Sequence, residues 1–401
     1  MTKGNPTTSV VMSVYNAVPT LREAVDSILG QTYTDFEFII VDDGSEDKSG
    51  DLLDEYHDER IVRHRFEKNG GLTRAVNYGI EHARGKFIAR MDADDISYPS
   101  RLEKEIGLID SYEGLGLVSC WYRLIFDDQP AQVITPPLSD AELKQMLFYR
   151  DPFCHPAVVF RRELWEKLGG FVVDRYYPAE DWELWLRMAE ISRLGMVPEV
   201  LLDYRVWPQS VSVYRRKHQL AGIRLLQDEA YRRNQKSKRV ALTSKTLMRH
   251  HLLVGLLALI EGEDSVFHNQ MEFALQDRNE LQSDMTHIVN EVVFYALEAA
   301  KSQGGGKESE LGFIQQFNGM LPEKDRNIGK AVLGEYHLTS AFRGYQKQDW
   351  TITLQEIWEG IKNRPSRLRD RGVISLLVQS ALKSITKPFG KIQYDSIDHN
   401  E

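Results

Sequence analysis

Cysteine is scarce: the 401 residues hold only Cys120 and Cys154. Two thiols cannot build a disulfide framework, so a hydrophobic core must carry the stability, and a reducing compartment is expected. Long apolar runs are missing as well. The longest, Leu252 to Ile260, is interrupted by Gly255 and is too short to cross a bilayer. The first residues, MTKGNPTTSVVMSVYN, lack the basic-then-apolar order of an export signal, and a cytoplasmic protein is expected. Positive charge is in deficit, and a net charge of −9 argues against a general nucleic-acid binder. Neither G-x-G-x-x-G nor G-x-x-x-x-G-K-[ST] occurs, which removes support for a Rossmann dehydrogenase and for a P-loop nucleotidase. The remaining composition, 27% charged and 42% hydrophobic, is that of an ordinary globular chain long enough for two or three domains.

What the chain does contain is centred on Phe87-Ile88-Ala89-Arg90-Met91-Asp92-Ala93-Asp94-Asp95. An apolar run ends there in three carboxylates within four residues, the pattern of a buried strand emerging at a sheet edge. Like charges this close repel unless a cation lies between them. Mg²⁺ and Mn²⁺ take oxygen ligands, commonly one or two carboxylates plus substrate phosphates. An Asp-x-Asp after a strand therefore reads as a seat for a metal and a diphosphate. The plainer alternative is an acidic turn in which Asp95 or Ser97 caps the helix following Pro99.

Upstream, Ser9–Val14 and Phe36–Val41 are continuous apolar strands, and Leu21, Ala24, Val25 and Ile28 keep helical spacing between them. Such alternation predicts βαβ units, a mainly parallel sheet covered on both faces, and ligands beyond the carboxyl ends of its strands. Tyr15, Asp43 and Asp92 all fall at such ends. The turn Asn69-Gly70-Gly71 leads into a helix whose N-terminus would favour phosphate. Further on, Leu117–Phe126 reads as a strand and Leu143–Phe148 as a short helix. Cys154–Arg162 is a turn into a strand, where His155 alone is more often structural than a ligand. Glu180 and Asp181 open a helix that carries Trp182 and Trp185 on one face. Favourable charge at a helix start would account for that acidic pair without any chemistry. LLDYRVWPQSVS, residues 201–212, is a strand leading into a polar loop.

Beyond about Tyr214 the periodicity becomes helical. The helices expected are His218–Arg233, Leu247–Ile260 and Val289–Ala300, then Ile328–Tyr345, Thr351–Ile361 and Arg367–Ile385. Ser302-Gln303-Gly304-Gly305-Gly306-Lys307 breaks them and reads as a linker. The organisation expected is a catalytic domain over 1–220, a helical region over 221–303 and a C-terminal helical domain over 307–395. Ala341, Tyr345 and Pro365 sit as in one unit of a tetratricopeptide-like hairpin.

Five segments in order carry a resemblance: VMSVYN at 11–16, VDDGSEDKS at 41–49, the stretch from Asn69 to Asp95, EDWELWLR at 180–187 and YRVWPQSVS at 204–212. Together they resemble family 2 glycosyltransferases of the GT-A fold, over roughly the first 215 residues. The resemblance implies an α/β, Rossmann-like, mainly parallel catalytic domain. It implies transfer of a sugar, with inversion, from a nucleotide-sugar donor, most often a UDP-sugar, to a glycan or lipid-linked acceptor hydroxyl in polysaccharide or glycoconjugate biosynthesis. Ser13 and Tyr15 would line the nucleoside pocket, Asp43 would hydrogen-bond the base, and Arg74 would lie near the donor. Asp92 and Asp94 would form the Asp-x-Asp pair, binding Mn²⁺ or Mg²⁺ and donor. Asp181 would be the catalytic base, with His155, Glu180 and Trp182 on the acceptor side. Many relatives place a histidine two residues after the arginine of the YR segment. Here that position is Trp207, although Arg205 is retained and could neutralise phosphate.

Three rival readings are a nucleotidyltransferase, for which VYNAVPT offers no glycine-rich basic loop; a catalytically inactive member serving as a glycan- or partner-binding scaffold, which should have lost its carboxylates; and a glycan-binding module suggested by Trp182 and Trp185, although tryptophans on a helical face are more often core. The C-terminal stretch carries one more expectation. Val373, Ile374, Leu377, Val378, Ala381, Leu382 and Ile385 form an apolar stripe, and Arg364, Arg367, Arg369 and Arg371 crowd the start of that helix. The stripe suits a packed helix meeting Leu338, Ala341 and Ile357. The alternative is that residues 366–391, with Lys383, Lys387 and Lys391, rest peripherally on an anionic membrane carrying a lipid-linked acceptor.

Overall fold

The computed structural model describes residues 5–126, 130–207, 215–302 and 306–385. The polar loop from Pro208, the glycines at 304 and 305, and Lys387 and Lys391 lie outside the described residues. The chain divides into two compact units, residues 1–261 with 269–277, and residues 262–268 with 278–401.

The first unit is built on a nine-stranded sheet. Strands β1 (Thr8–Val14) and β2 (Phe36–Asp42) are buried at every position, so they show no polar alternation. β3 is Ile61–Arg65, β4 is Phe87–Asp92 and β5 is Ile96–Ser97. β6 (Leu115–Ile125), β7 (Gln132–Ile134), β8 (Val159–Arg161) and β9 (Arg193–Arg205) complete the sheet. The order is β3-β2-β1-β4-β8-β6-β9-β5, with β7 beside β6. The half β3-β2-β1-β4 is parallel. β8 then runs antiparallel to both β4 and β6, so the other half is mixed. Register places Val14 beside Asp42 and Ser13 beside Asp92, which brings three strand ends to one edge. β9 begins eight residues before the apolar run at Leu201, because it pairs with β6 from Arg193 onward.

Helices cover both faces. α1 (Val18–Leu29) buries Leu21, Ala24, Val25 and Ile28, as its spacing predicts. α2 spans Ser49–Asp54. α3 (Leu72–Glu81) approaches β1 so closely that a Cβ on Gly79 would lie 2.6 Å from Val11 Cγ1. α4 (Arg101–Ser111), α5 (Asp140–Met146), α6 (Arg162–Leu168) and α7 (Glu180–Ala189) follow. The helices Arg216–Ser237 and Ser244–Glu261 belong to this unit and grip the end of α5. Gln227 Nε2 donates to the Leu147 carbonyl at 2.9 Å, and Arg249 Nη1 donates to Tyr149 Oη at 2.8 Å. His250 Nδ1 donates to the Phe148 carbonyl at 2.9 Å, and burial pushes its pKa down to about 3, so the ring is neutral.

The second unit is helical. Lys307–Met320, Arg326–Gln346 and Trp350–Asn363 bury Ile314, Phe317, Val332, Tyr336, Ala341 and Ile357. The single helix expected from Arg367 is in fact a 3₁₀ turn, Pro365–Arg369, followed by a helix over Arg371–Ile385. Asp370 breaks it with an extended backbone, while its Oδ1 accepts from Gly372 N at 2.9 Å. Arg364 and Arg367 thus precede the helix, and both are answered inside the protein. Arg364 Nη1 lies 2.5 Å from Glu335 Oε2, Arg367 Nη2 lies 2.6 Å from Glu335 Oε1, and Arg367 Nη1 reaches Asp370 at 2.8 Å. These two arginines therefore do not call for an external anion. The stripe is partly covered: Val373 and Leu377 are half-buried, while Ile374 and Val378 are exposed. Among the described residues no helix is long and apolar enough to cross a membrane.

Glu335 is therefore the electrostatic tie between the long helix Arg326–Gln346 and the 3₁₀ turn. Glu335→Ala leaves two partly buried guanidinium groups without their shared partner. The expected cost is about 1–3 kcal/mol, seen as a lower denaturant midpoint at unchanged slope. An unchanged midpoint would mean that water replaces the pair at no cost.

Candidate active site

The loops after β1 and β2 are stitched together by Asn16. Its backbone is left-handed, with φ of 50°, and its Oδ1 accepts from Glu46 N at 2.9 Å. Its own N–H donates to Ser45 Oγ at 3.1 Å. Ser13 is buried at the end of β1, and Tyr15 stands 46% exposed beyond it. Asp43 is buried and accepts three hydrogen bonds, from Gly70 N at 2.7 Å, Gly71 N at 2.8 Å and Asn69 Nδ2 at 3.0 Å. The glycine turn thus aims the Gly70 and Gly71 backbone donors at Asp43. Gly44 sits at φ +72°, and a Cβ there would lie 2.6 Å from the Lys68 carbonyl carbon, so only glycine fits beside the turn. A groove of about 660 Å³ adjoins it, lined by Gly44, Ser45, Arg65, Phe66, Lys68 and Asn69. Arg74 is exposed, its guanidinium 5.1 Å from the centre of the Phe66 ring.

Asp92, Asp94 and Asp95 converge where β4 ends, each offering a carboxylate oxygen within 4.8 Å of the others. Asp95 is not a helix cap. Its Oδ1 accepts from Arg205 N at 2.8 Å, and α4 starts only at Arg101. Asp95 Oδ2 is buried with no hydrogen-bond partner, and burial together with Asp94 and Asp92 pushes its pKa well up. Burial and the neighbouring Asp92 push Asp94 up to about 6. Trp207 Nε1 donates to Asp94 Oδ2 at 3.1 Å. Arg205 is spent on this cluster's frame, with Nε on the Asp94 carbonyl at 2.9 Å and Nη2 on Glu23 at 2.7 Å. An all-oxygen set holding a buried, unpartnered carboxylate oxygen fits a hard divalent cation.

Behind this cluster lies Arg90, fully buried. Its guanidinium bonds Asp92 Oδ1 and the Met91 carbonyl, and donates to the Val11 carbonyl at 3.1 Å. Its Nε donates to His155 Nε2 at 3.2 Å. A guanidinium has no acceptor, so His155 Nε2 must carry the lone pair and Nδ1 the proton. Burial and Arg90 both push the His155 pKa well down, keeping the ring neutral. Nδ1 faces Asp181 Oδ2 at 3.9 Å. Phe171 and Trp185 wall the imidazole, at ring separations of 5.4 and 6.1 Å.

Asp181 and Glu180 are in the first turn of α7. Asp181 Oδ1 accepts from Trp182 N at 2.8 Å, and burial, with a smaller push from Asp92, raises its pKa to about 6. Glu180 is buried and accepts from Thr73 Oγ1 at 3.0 Å. Burial and Asp181 raise it to about 7. Trp182 is also buried, its indole donating to the Leu147 carbonyl at 2.8 Å, which is a packing position. Sequence reasoning missed Arg90, and it missed Asp151, whose pKa is pushed well up by burial and by Asp181. The signal for Arg90 was present: an arginine inside the buried run FIARMD demands a partner. Asp151 had no such signal, because only tertiary packing brings it to Asp181.

Residues 9–169 match the model of the family described as glycosyl transferase family 2. An uncharacterised glycosyltransferase of Rickettsia typhi is 26% identical over 299 residues, covering 72% of this chain and 91% of that protein. Another, from Methanocaldococcus jannaschii, is 31% identical over 210 residues, covering 50% of this chain and 71% of its own length. Among solved structures, a Pyrobaculum calidifontis mannosyltransferase in complex with GDP-Man and Mn²⁺ superposes with a TM-score of 0.49 at 17% identity, over 92% of this chain and 89% of its own. The chain belongs to glycosyl transferase family 2, with a GT-A catalytic unit followed by helices.

Asp94, Asp95, Glu180 and Asp181 all have raised pKa values, with a definite consequence for stability. As pH rises from about 4 to about 7, the unfolded chain gives up protons that the folded chain retains, so metal-free protein loses stability across that window. A divalent cation seated at Asp94 and Asp95 would compete with those protons. Mn²⁺ is therefore expected to raise the unfolding midpoint more at pH 8 than at pH 5. An equal shift at both values would remove the acid cluster as the binding site.

Proposed function

We propose that this chain is an inverting glycosyltransferase that moves a sugar from a nucleotide-sugar donor, a UDP-sugar, to a hydroxyl of a glycan or lipid-linked acceptor. The observation that carries this reading is a pair of acidic groups at one sheet edge, Asp92/Asp94/Asp95 and Glu180/Asp181, with the buried Arg90–His155 pair between them. Family membership supports the transferase class, and the two clusters support a donor side and an acceptor side. Ser13, Tyr15, Asp43 and Arg74 are assigned to the donor, with Asp43 acting by holding the turn 69–71. Asp92 and Asp94, joined by Asp95, would hold Mn²⁺ or Mg²⁺, which when bound supplies Lewis-acid stabilisation of the leaving diphosphate. Membrane contact through residues 366–391 forms no part of this reading, since Arg364 and Arg367 are paired internally.

The chemistry follows from the carboxylates. A sugar hydroxyl is a weak nucleophile, and a positioned base contributes typically about 10²–10⁴-fold. Asp181 takes the proton of the acceptor hydroxyl as its oxygen attacks the anomeric carbon on the face opposite the diphosphate, so configuration inverts. A pKa of about 6 suits a base that works near neutrality and still accepts a proton. Glu180 and the buried Trp182 serve the acceptor side by fixing the start of α7. The second reading, an inactive scaffold, draws on Trp207 bonding Asp94, but that bond occupies only Oδ2 and leaves Oδ1 for a ligand.

Asp181→Asn keeps shape and polarity but cannot accept the proton. With a panel of UDP- and GDP-sugars as donors, kcat is expected to fall about 10²–10⁴-fold with donor binding retained. EDTA should abolish turnover, and NMR of the product should show the opposite anomeric configuration. Retention of configuration, or near-normal turnover by the Asn variant, would overturn Asp181 as the base.

A further inference from the structure

Asp181 is a half-buried carboxylate at a helix start, and a base of that kind must be held at one angle to be useful. Its Oδ1 is fixed by the Trp182 N–H, while Oδ2 is faced by His155 Nδ1 at 3.9 Å. That distance is longer than a hydrogen bond, as is common in catalytic pairs before substrate arrives. What decides whether Nδ1 carries a proton is the other side of the ring. The Nε–H of Arg90 points at Nε2, and the opposite tautomer would set two donors against each other in a buried site. Arg90 cannot turn away, because its remaining donors are committed to Asp92, the Met91 carbonyl and the Val11 carbonyl. Nor can the ring tilt freely between Phe171 and Trp185.

We propose that Arg90 and His155 form one positioning relay, in which Arg90 locks the His155 proton onto Nδ1 and His155 presents it to Asp181. The relay rests on Asp181 being the base, and it gives His155 a role that differs from contacting the acceptor. Both ring nitrogens are directed at protein groups, so His155 acts through Asp181. The same guanidinium holds Asp92, so the donor-side and acceptor-side carboxylates take their orientation from a single buried cation.

The test has an arm that needs no substrate. ¹⁵N NMR of histidine-labelled full-length protein, with the His155 signals assigned by their loss in His155→Gln, is expected to give a protonated Nδ1 and an unprotonated Nε2. A protonated Nε2 overturns the relay even if the enzyme proves fully active. The second arm separates the relay from simple packing. His155→Phe keeps the aromatic wall but deletes both polar contacts, whereas His155→Gln offers one acceptor and one donor in their place. The Phe variant is expected to lose about 10–100-fold in kcat, while protection against unfolding by UDP with MnCl₂ stays within about threefold, and the Gln variant to recover most of the loss. A Phe variant with unchanged kcat, or one losing UDP protection in step with kcat, overturns the proposal. Should the Phe variant fail to fold, the tautomer still decides. Should no nucleotide sugar turn over, the functional reading fails while the tautomer reports on the relay by itself.

Discussion

The site is organised around a buried guanidinium. Burying a charge costs several kcal/mol even after relaxation, unless its donors find partners in good geometry. Arg90 meets that condition with a carboxylate, two carbonyls and an imidazole drawn from β1, β4 and the turn before β8. Beneath it a second fully buried arginine, Arg101, donates to the Pro156 carbonyl at 2.8 Å and the Arg90 carbonyl at 3.2 Å. Arg90 fixes the His155 ring, and Arg101 fixes the backbone just after it. Neither can move without leaving a buried charge unsatisfied, so β4 and the turn carrying His155 are held against one another.

That rigidity makes the carboxylates costly. Asp94, Asp95, Asp151, Glu180 and Asp181 all have raised pKa values for the same first reason, burial, with mutual repulsion second. A fold that needed only stability would replace several of them with apolar residues. Asp94 and Asp95 follow the carboxyl end of β4, where ligands of open α/β sheets bind, and Glu180 and Asp181 open α7 near Asp92; such clustering is the mark of a site that keeps unfavourable groups for use. The helices Arg216–Ser237 and Ser244–Glu261 contribute from behind. By gripping Leu147, Phe148 and Tyr149 they hold the segment that leads to Asp151 and His155.

Trp207 illustrates how one residue type changes a site without emptying it. Its indole N–H is a donor only, so it cannot ligate a cation, but it can hold Asp94 Oδ2 in place. A cation held there would meet oxygen from Asp92, Asp94 and Asp95 alone. Arg205, two residues earlier, is likewise committed to Glu23 and to the backbone of Asp94. The turn 69–71 makes a related point. Its glycines and the helix behind it resemble a phosphate cradle, yet the N–H groups close on Asp43, a carboxylate already inside the protein.

The sequence alone determined the local pieces. Continuous apolar runs gave β1, β2 and β4, the spacing of Leu21, Ala24, Val25 and Ile28 gave α1, and the acidic triplet marked a strand end, because each depends on neighbours within a few residues. It could also have flagged Arg90, a charge in a buried strand. What it could not supply were the partners that come from far along the chain. Asp43 meets Gly70 and Gly71, Arg90 meets His155, Asp181 meets His155 and Asp151, and Arg364 and Arg367 meet Glu335. The break at Asp370 is local by contrast, its side chain accepting from Gly372 N in competition with the helix. A side chain's choice between water and a distant partner is decided by which groups packing has already buried, and only the tertiary structure fixes that.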